Sequence, residues 1–315
     1  MAIDPHVQRF LERLSVGAPR GGGSLTVQER RAALARLLSL GGEPPEVAHI
    51  GESTVHGPAG LVRLRTYTPV DVVTESLPAL IYFHGGGLVA GSVDVYDGVA
   101  RRLASASGCR LISVDYRLAP EARFPAAIED ACAASDWVLD HAADFGIDAE
   151  RTGICADSAA AVLAVAVCRH RAAVGGPGLA AQVLLCPILD YRPQAIARRS
   201  YDQGDLLDRD TLEHDLAHYL HADVSPADPR VSPLQSGQFA DLPPACIHIA
   251  ECDPVRDDGS AYAEELRNAG VPARSRCHPG MIHLFYGLSA VIPYAAEAYR
   301  MIGADIRAVL GSANL

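Results

Sequence analysis

The chain has no lysine: all 27 of its basic residues are arginine. A lysine nucleophile and Schiff-base chemistry are therefore excluded; the arginine-only usage reads as a bias of the source genome. No run of 18 apolar residues occurs, so no membrane-spanning helix is expected. The opening Met1-Ala-Ile-Asp-Pro-His has neither the basic start nor the apolar stretch of a secretion signal, and a cytoplasmic protein is expected. The eight cysteines, at 109, 132, 155, 168, 186, 246, 252 and 277, form no Cys-x-x-Cys pair and no zinc pattern, and most lie in apolar runs as buried free thiols would. Neither a Gly-x-Gly-x-x-Gly fingerprint nor a Walker loop is present, so no cofactor and no metal is expected. The net charge of −11 argues against nucleic acid and anionic membrane surfaces as partners. No internal repeat or low-complexity tract stands out. No feature sets the oligomeric state, and a homodimer stays open.

Among the features present, the most informative is Ile81-Tyr82-Phe83-His84-Gly85-Gly86-Gly87. An apolar strand runs straight into three glycines, which strip the backbone of side chains and let N–H groups converge on one spot. Such a cradle suits an oxygen that becomes negative during acyl transfer. A plain glycine-rich turn after a strand is the alternative that this segment alone leaves open.

An oxyanion cradle needs a nucleophile. In Thr152-Gly-Ile-Cys-Ala156-Asp157-Ser158-Ala159-Ala160 a β-like run turns tightly into a helix rich in alanine, valine and leucine. Ser158 would sit on that strand-to-helix turn with backbone N–H groups around it. Alanine stands at 156 and 160, where the usual Gly-x-Ser-x-Gly pattern has glycine. The physical need there is smallness, because strand and helix crowd the turn, and alanine is the next smallest residue. The alternative role for Ser158 is a helix N-cap.

A serine nucleophile needs a base, and the base an orienting carboxylate. Asp253 ends the apolar run 245–251 and precedes a proline. Asp257 and Asp258 compete with it but suit the first turn of a helix, which Asp253 could itself cap. His283 follows the Gly280 loop and enters an apolar run; His278 competes with it but precedes proline and reads as extended. The order Ser158, Asp253, His283 is that of an α/β-hydrolase triad.

These segments resemble the bacterial hormone-sensitive-lipase group of α/β-hydrolase carboxylesterases. The resemblance spans about residues 60–290 and rests on five segments: His84-Gly85-Gly86-Gly87, the run from Asp115-Tyr116-Arg117 to Pro120-Glu121 with Phe124-Pro125, Asp157-Ser158-Ala159, Asp253-Pro254-Val255-Arg256-Asp257, and Gly280-Met281-Ile282-His283. It implies Ser158 as nucleophile, His283 as base and Asp253 as its partner. It further implies an oxyanion hole from the N–H groups of Gly86, Gly87 and Ala159, braced by His84 and the segment Asp115–Glu121, with Gly85 and Asp157 as supporting residues of the motifs. It implies a small ester with a short to medium acyl chain as substrate. An amide, carbamate or lactone would use the same triad, and a ligand-binding protein on the same scaffold is a further alternative, against which the presence of His283 speaks.

Three hundred and fifteen residues suit one α/β domain with a small cap. Residues 1–45 read as two amphipathic helices, 5–14 and 26–40, around a glycine-rich break at 17–23; the resemblance makes them part of a cap, and a helical extension packed on the core is the alternative. Strands are expected at 62–67, 78–83, 109–116, 152–155, 182–189, 245–251 and 273–277. Helices are expected at 97–106, 125–142, 158–173, 257–269 and 292–310. The alternation implies a mostly parallel sheet covered on both faces, built from 46–190 and 239–315. Residues 191–238 break it and are expected as a cap insertion with one helix near 210–220. His214 and His218 are spaced i, i+4 there without a His-Glu-x-x-His run, and read as a solvated helix face rather than a metal site.

Overall fold

The run Leu77-Pro-Ala-Leu-Ile-Tyr-Phe83 is buried at every position but Pro78. An unbroken apolar strand needs cover on both faces, so it belongs in the middle of a parallel sheet. The computed structural model, which describes residues 3–15, 25–70, 76–175, 178–198 and 206–311, places it there. The glycine-rich break expected at 17–23 and residues 199–205 of the expected insertion lie outside the described residues.

Strands β1 (His49–Gly57) and β2 (Gly60–Thr68) make an antiparallel hairpin at one edge. β2 also lies antiparallel to β4 (Arg110–Asp115), beside β3 (Leu77–Phe83). From β4 onward every pairing is parallel, through β3, β5 (Ile147–Asp157), β6 (Gln182–Leu185), β7 (Ala245–Ala250) and β8 (Ala273–His278). The sheet order is β1-β2-β4-β3-β5-β6-β7-β8.

Alternation along β3 divides the interior in two. Ala79, Ile81 and Phe83 join one apolar cluster, while Leu80 and Tyr82 join the other. The first cluster is covered by α4 (Ala126–Asp140), α5 (Ala161–Val174) and α8 (Arg256–Asn268), the second by α3 (Asp97–Ser107) and α9 (Tyr294–Gly311). The two N-terminal helices, α1 (Pro5–Ser15) and α2 (Val27–Leu38), place Val7, Phe10 and Leu34 in the second cluster. A capping box starts α2, with the Thr26 hydroxyl accepting from Glu29 N–H and the Glu29 carboxylate accepting from Thr26 N–H. α6 (Pro193–Arg198) and α7 (Arg209–Tyr219) stand between β6 and β7.

Several elements depart from the sequence reading: the insertion holds the short helix α6 besides the one helix expected near 210–220, and β5 starts at Ile147 rather than near 152. β1 carries almost no apolar signal because it is an edge strand, with Val55 its one buried residue. The strand expected at 182–189 stops at Leu185, since Cys186 turns to φ +45° and Pro187 has no N–H to give. The helix expected from 158 begins at Ala161, after a 3₁₀ turn over Ser158–Ala160. Five of the eight cysteines are buried free thiols, as expected of most of them, whereas Cys132 and Cys252 are half-buried and Cys277 is exposed on β8. Among the described residues no helix is long and apolar enough to cross a membrane.

Gly303 lets α9 approach α3 closely. A β-carbon there would lie 2.0 Å from the Ala106 carbonyl oxygen, a backbone atom that cannot move alone. Gly303→Ala is expected to destabilise the chain by about 1–3 kcal/mol through overpacking, even though alanine is the better helix former. Thermal unfolding checks this; an unchanged or raised Tm would show that α9 can shift without loss.

Candidate active site

The strand β5 delivers Asp157 in extended geometry, and the next residue, Ser158, turns to φ +55° before the chain enters the 3₁₀ turn and α5. A side chain in the left-handed region is strained and persists only where its surroundings dictate it. Ser158 O accepts from Ile188 N–H at 3.1 Å, which pins the turn to the segment after β6. Its hydroxyl makes no helix cap; Oγ lies 2.8 Å from His283 Nε2. Ala156 and Ala160 are fully buried, Ala156 paired with Phe83 and Leu184 on the flanking strands. The sharp turn is therefore formed with a methyl group at both positions.

His283 Nδ1 lies 2.8 Å from Asp253 Oδ2, and Asp253 Oδ1 accepts from Val255 N–H at 3.0 Å. All three side chains sit in residues only 7% exposed. The loops that carry Asp253 and His283 are laced together. Cys252 N–H donates to Met281 O at 2.8 Å, Glu251 N–H to His278 O at 3.1 Å, and Gly280 N–H to the Glu251 carboxylate at 2.8 Å. The competing residues lie elsewhere. Asp257 is exposed and pairs with Arg256. Asp258 is buried and accepts from the N–H groups of Leu189 and Asp190 at 2.8 and 3.0 Å, so it anchors the chain after β6 rather than merely charging a helix turn. His278 is buried between His248, 3.1 Å from its Nε2, and Tyr294 OH, 3.2 Å from its Nδ1; burial pushes it down to about 4.

The glycine loop is fixed from several sides. The His84 ring stacks between Tyr96 and Tyr116, its carbonyl accepts from Tyr116 OH at 2.6 Å, and its Nδ1 lies 2.9 Å from Gly85 O. Gly85 N–H donates to Asp157 Oδ1 at 2.8 Å, and a β-carbon on Gly85 would come within 2.5 Å of the same carboxylate. Gly86 and Gly87 hold φ +114° and +71°, and the Gly86 carbonyl turns away to accept from Val89 and Ala90 N–H. Asp157 also accepts from Tyr82 OH at 2.6 Å and Tyr286 OH at 3.0 Å. Burial raises its carboxyl to about 6 against the pull of those donors. The sequence placed Asp157 beside Ser158 but not these two tyrosines, which meet it from β3 and from three residues beyond His283.

Ser158, His283, Gly86 and Gly87 open on a cavity of about 630 Å³. Leucine is the commonest residue of its walls, with Leu14, Leu25, Leu34 and Leu37 from the N-terminal segment and Leu206, Leu207 and Leu212 from the stretch around α7. α7 does not present its histidines as a solvated face. His214 and His218 are half-buried, His214 Nδ1 lies 3.2 Å from Asp215 Oδ1, and His218 Nδ1 lies 2.9 Å from His214 O. Among the described residues, the one set of metal-ligand atoms within 4.8 Å of one another is Cys186, Asp253 and His283. Both Asp253 oxygens there are already engaged, and burial, then the Asp253 charge, pushes the Cys186 thiol well above its ordinary value. The set is an acid–base pair beside a protonated thiol and does not fit a metal.

A sequence profile described as the alpha/beta hydrolase fold matches residues 80–287, the stretch from β3 through His283. The chain belongs to the α/β-hydrolase fold family. Within it, this α/β hydrolase falls in the hormone-sensitive-lipase-like group of bacterial carboxylesterases. It is 34% identical to the esterase LipI of Mycobacterium tuberculosis, over 98% of this chain and 96% of that one. It is also 34% identical to the ethyl acetate hydrolase of Pseudomonas putida, over 96% and 98%. An ester-hydrolase from the metagenome of Lake Arreo superposes with a TM-score of 0.91 at 35% identity, covering 98% of this chain and 99% of the other.

The Asp157 carboxyl makes the stability of this hydrolase depend on pH. The native carboxyl keeps its proton up to about pH 6, whereas the unfolded chain releases it near 3.8. Its stabilising contribution is thus complete below 3.8 and lost as pH rises through 6. At 1.36 kcal/mol per pH unit the interval is worth roughly 3 kcal/mol. Asp157→Asn is expected to gain on the wild type by that order between pH 4 and pH 7 in urea unfolding. A difference that stays constant with pH would show the buried carboxyl to be ionised throughout.

Proposed function

We propose that this chain is a serine carboxylesterase that hydrolyses small esters of short to medium acyl chain through an acyl-enzyme. The observation that carries the reading is the continuous line Asp253–His283–Ser158, two contacts of 2.8 Å each, ending in a largely apolar cavity. Ser158 Oγ attacks the ester carbonyl carbon as its proton passes to His283 Nε2, and Asp253 holds the resulting imidazolium. The carbonyl oxygen takes up the negative charge and receives hydrogen bonds from the N–H groups of Gly86, Gly87 and Ala159; one such donor is worth about 10²–10³ in rate. His283 then protonates the departing alkoxide, and water repeats the sequence on the acyl-enzyme. His84, Gly85 and Asp157 hold the glycine loop in place.

Residues 46–190 and 239–315 form the catalytic unit in this reading, and 1–45 with 191–238 form the cap. The cap reading is supported by the leucines that both segments send into the cavity above Ser158. The size preference is supported by the cavity volume and by the ethyl acetate hydrolase among the relatives.

Ser158→Ala is expected to keep the circular dichroism spectrum and lose on the order of 10⁶ in kcat on p-nitrophenyl butyrate, together with labelling by a fluorophosphonate. Retention of more than a few per cent of the activity, with contamination excluded, would move the nucleophile elsewhere. A wild-type chain that neither cleaves the ester nor takes the label would end the esterase reading.

A further inference from the structure

The cavity wall contains an ion pair that the proposed reaction does not use. Asp215, on α7, is 4% exposed, and its Oδ2 lies 2.9 Å from a terminal nitrogen of Arg30, on α2. The same oxygen presses against the glycine loop: a β-carbon placed on Gly87 would come within 1.8 Å of it. Only the absence of a side chain at Gly87 admits the carboxylate. Its other oxygen faces His214 Nδ1 at 3.2 Å. The Arg30 side chain is itself 15% exposed, and its Nε is buried with no hydrogen-bond partner. Arg30, Asp215, Gly87 and Ser158 line one cavity.

A carboxylate beside an oxyanion donor works against catalysis. The transition state places a second negative charge at the N–H of Gly87, and two like charges a few ångströms apart are poorly screened in a buried site. An adjacent guanidinium cancels the first charge. The neighbouring Arg31 grips the other side of the same junction, donating to Val89 O at 2.8 Å and to Ala119 O at 3.1 Å, so α2 is held at a defined height over the loop.

Resting on the esterase reading, we propose that Arg30 is a positioning residue that neutralises Asp215, so that α7 can bear on Gly87 without its carboxylate opposing the oxyanion. Removing the positive charge alone leaves the carboxylate with only the His214 ring facing it and its charge uncancelled beside the donor, and slows the chemical step. Removing both charges abolishes the opposition.

The test compares kcat and KM on p-nitrophenyl butyrate for Arg30→Met, Arg30→Gln, Arg30→Lys, Asp215→Asn and the double variant Arg30→Met with Asp215→Asn. The two neutral replacements of Arg30 are expected to lose about tenfold or more in kcat with KM within about threefold, a loss of about 1.4 kcal/mol at tenfold. Arg30→Lys, Asp215→Asn and the double variant are expected within about threefold of wild-type kcat. Arg30→Gln keeps a hydrogen-bond donor to Asp215 and stands in where the methionine variant does not fold, compared then with Arg30→Gln combined with Asp215→Asn. Wild-type kcat in a neutral Arg30 variant would overturn the role. So would a double variant no faster than the single one, or a loss shared equally by Asp215→Asn, since the pair would then be a clamp only. An unaltered chain inactive on the ester would remove the esterase reading and this role together, whereas an active one with any of those outcomes removes this role alone.

Discussion

One fully buried carboxylate gathers the pieces of the proposed reaction centre. Asp157 is the last residue of β5, so its backbone sets the turn that lifts Ser158. Its side chain takes hydrogen bonds from Tyr82 on β3, from the backbone of Gly85 in the glycine loop, and from Tyr286 beyond His283. Two segments far apart in the chain, 82–85 and the turn at Tyr286, thereby meet on the two oxygen atoms at the end of β5. An anion in such a place is costly unless several donors reach it. That need ties the position of the glycine loop to the position of the serine. Gly85 must be glycine for the same reason, because any β-carbon would enter the carboxylate.

The Asp253–His283 pair is held by a different device. Asp253 and His283 sit on separate loops, and the loops are joined by main-chain hydrogen bonds from Glu251 and Cys252, with Gly280 bonded back to the Glu251 side chain. Backbone bonds of this kind fix a geometry more tightly than long side chains do, and transfer of a proton between groups 2.8 Å apart tolerates little drift. The alanines at 156 and 160 fit the same logic. What the strand-to-helix turn requires is small volume at two buried positions; the unusual backbone angle falls on Ser158 between them. Alanine satisfies the volume, and glycine's wider range of angles is not used there.

The cavity is made by parts that the sheet does not dictate. α2 and the stretch around α7 are far apart in the sequence and meet above Ser158, where Arg30 and Asp215 join them. Arg31 and Arg123 add further ties, to Val89 O and to Leu220 O. The surface that faces a substrate therefore depends on charged contacts between covering segments as well as on leucine packing.

The sequence by itself determined what is encoded locally. An apolar strand running into His84 and three glycines, a strand turning at Ser158 into an alanine-rich helix, and the order Ser158, Asp253, His283 are all visible along the chain. The alternation of strands and helices that makes the sheet parallel is equally visible, since burial on two faces leaves continuous apolar runs. Tertiary structure alone decided which acid meets which histidine. Asp253, Asp257 and Asp258 lie within six residues of one another, and only the placement of the His283 loop against the end of β7 separates the carboxylate of the proposed triad from a surface ion pair and a buried anchor. The edge strand β1 was hidden because a strand with one face to solvent at the sheet's margin needs few apolar residues. The Tyr82–Asp157–Tyr286 network and the Arg30–Asp215 pair were hidden because each joins residues that no period or spacing relates. Local pattern records what each segment buries; contacts between distant segments exist only once the crossovers have stacked the strands in their order.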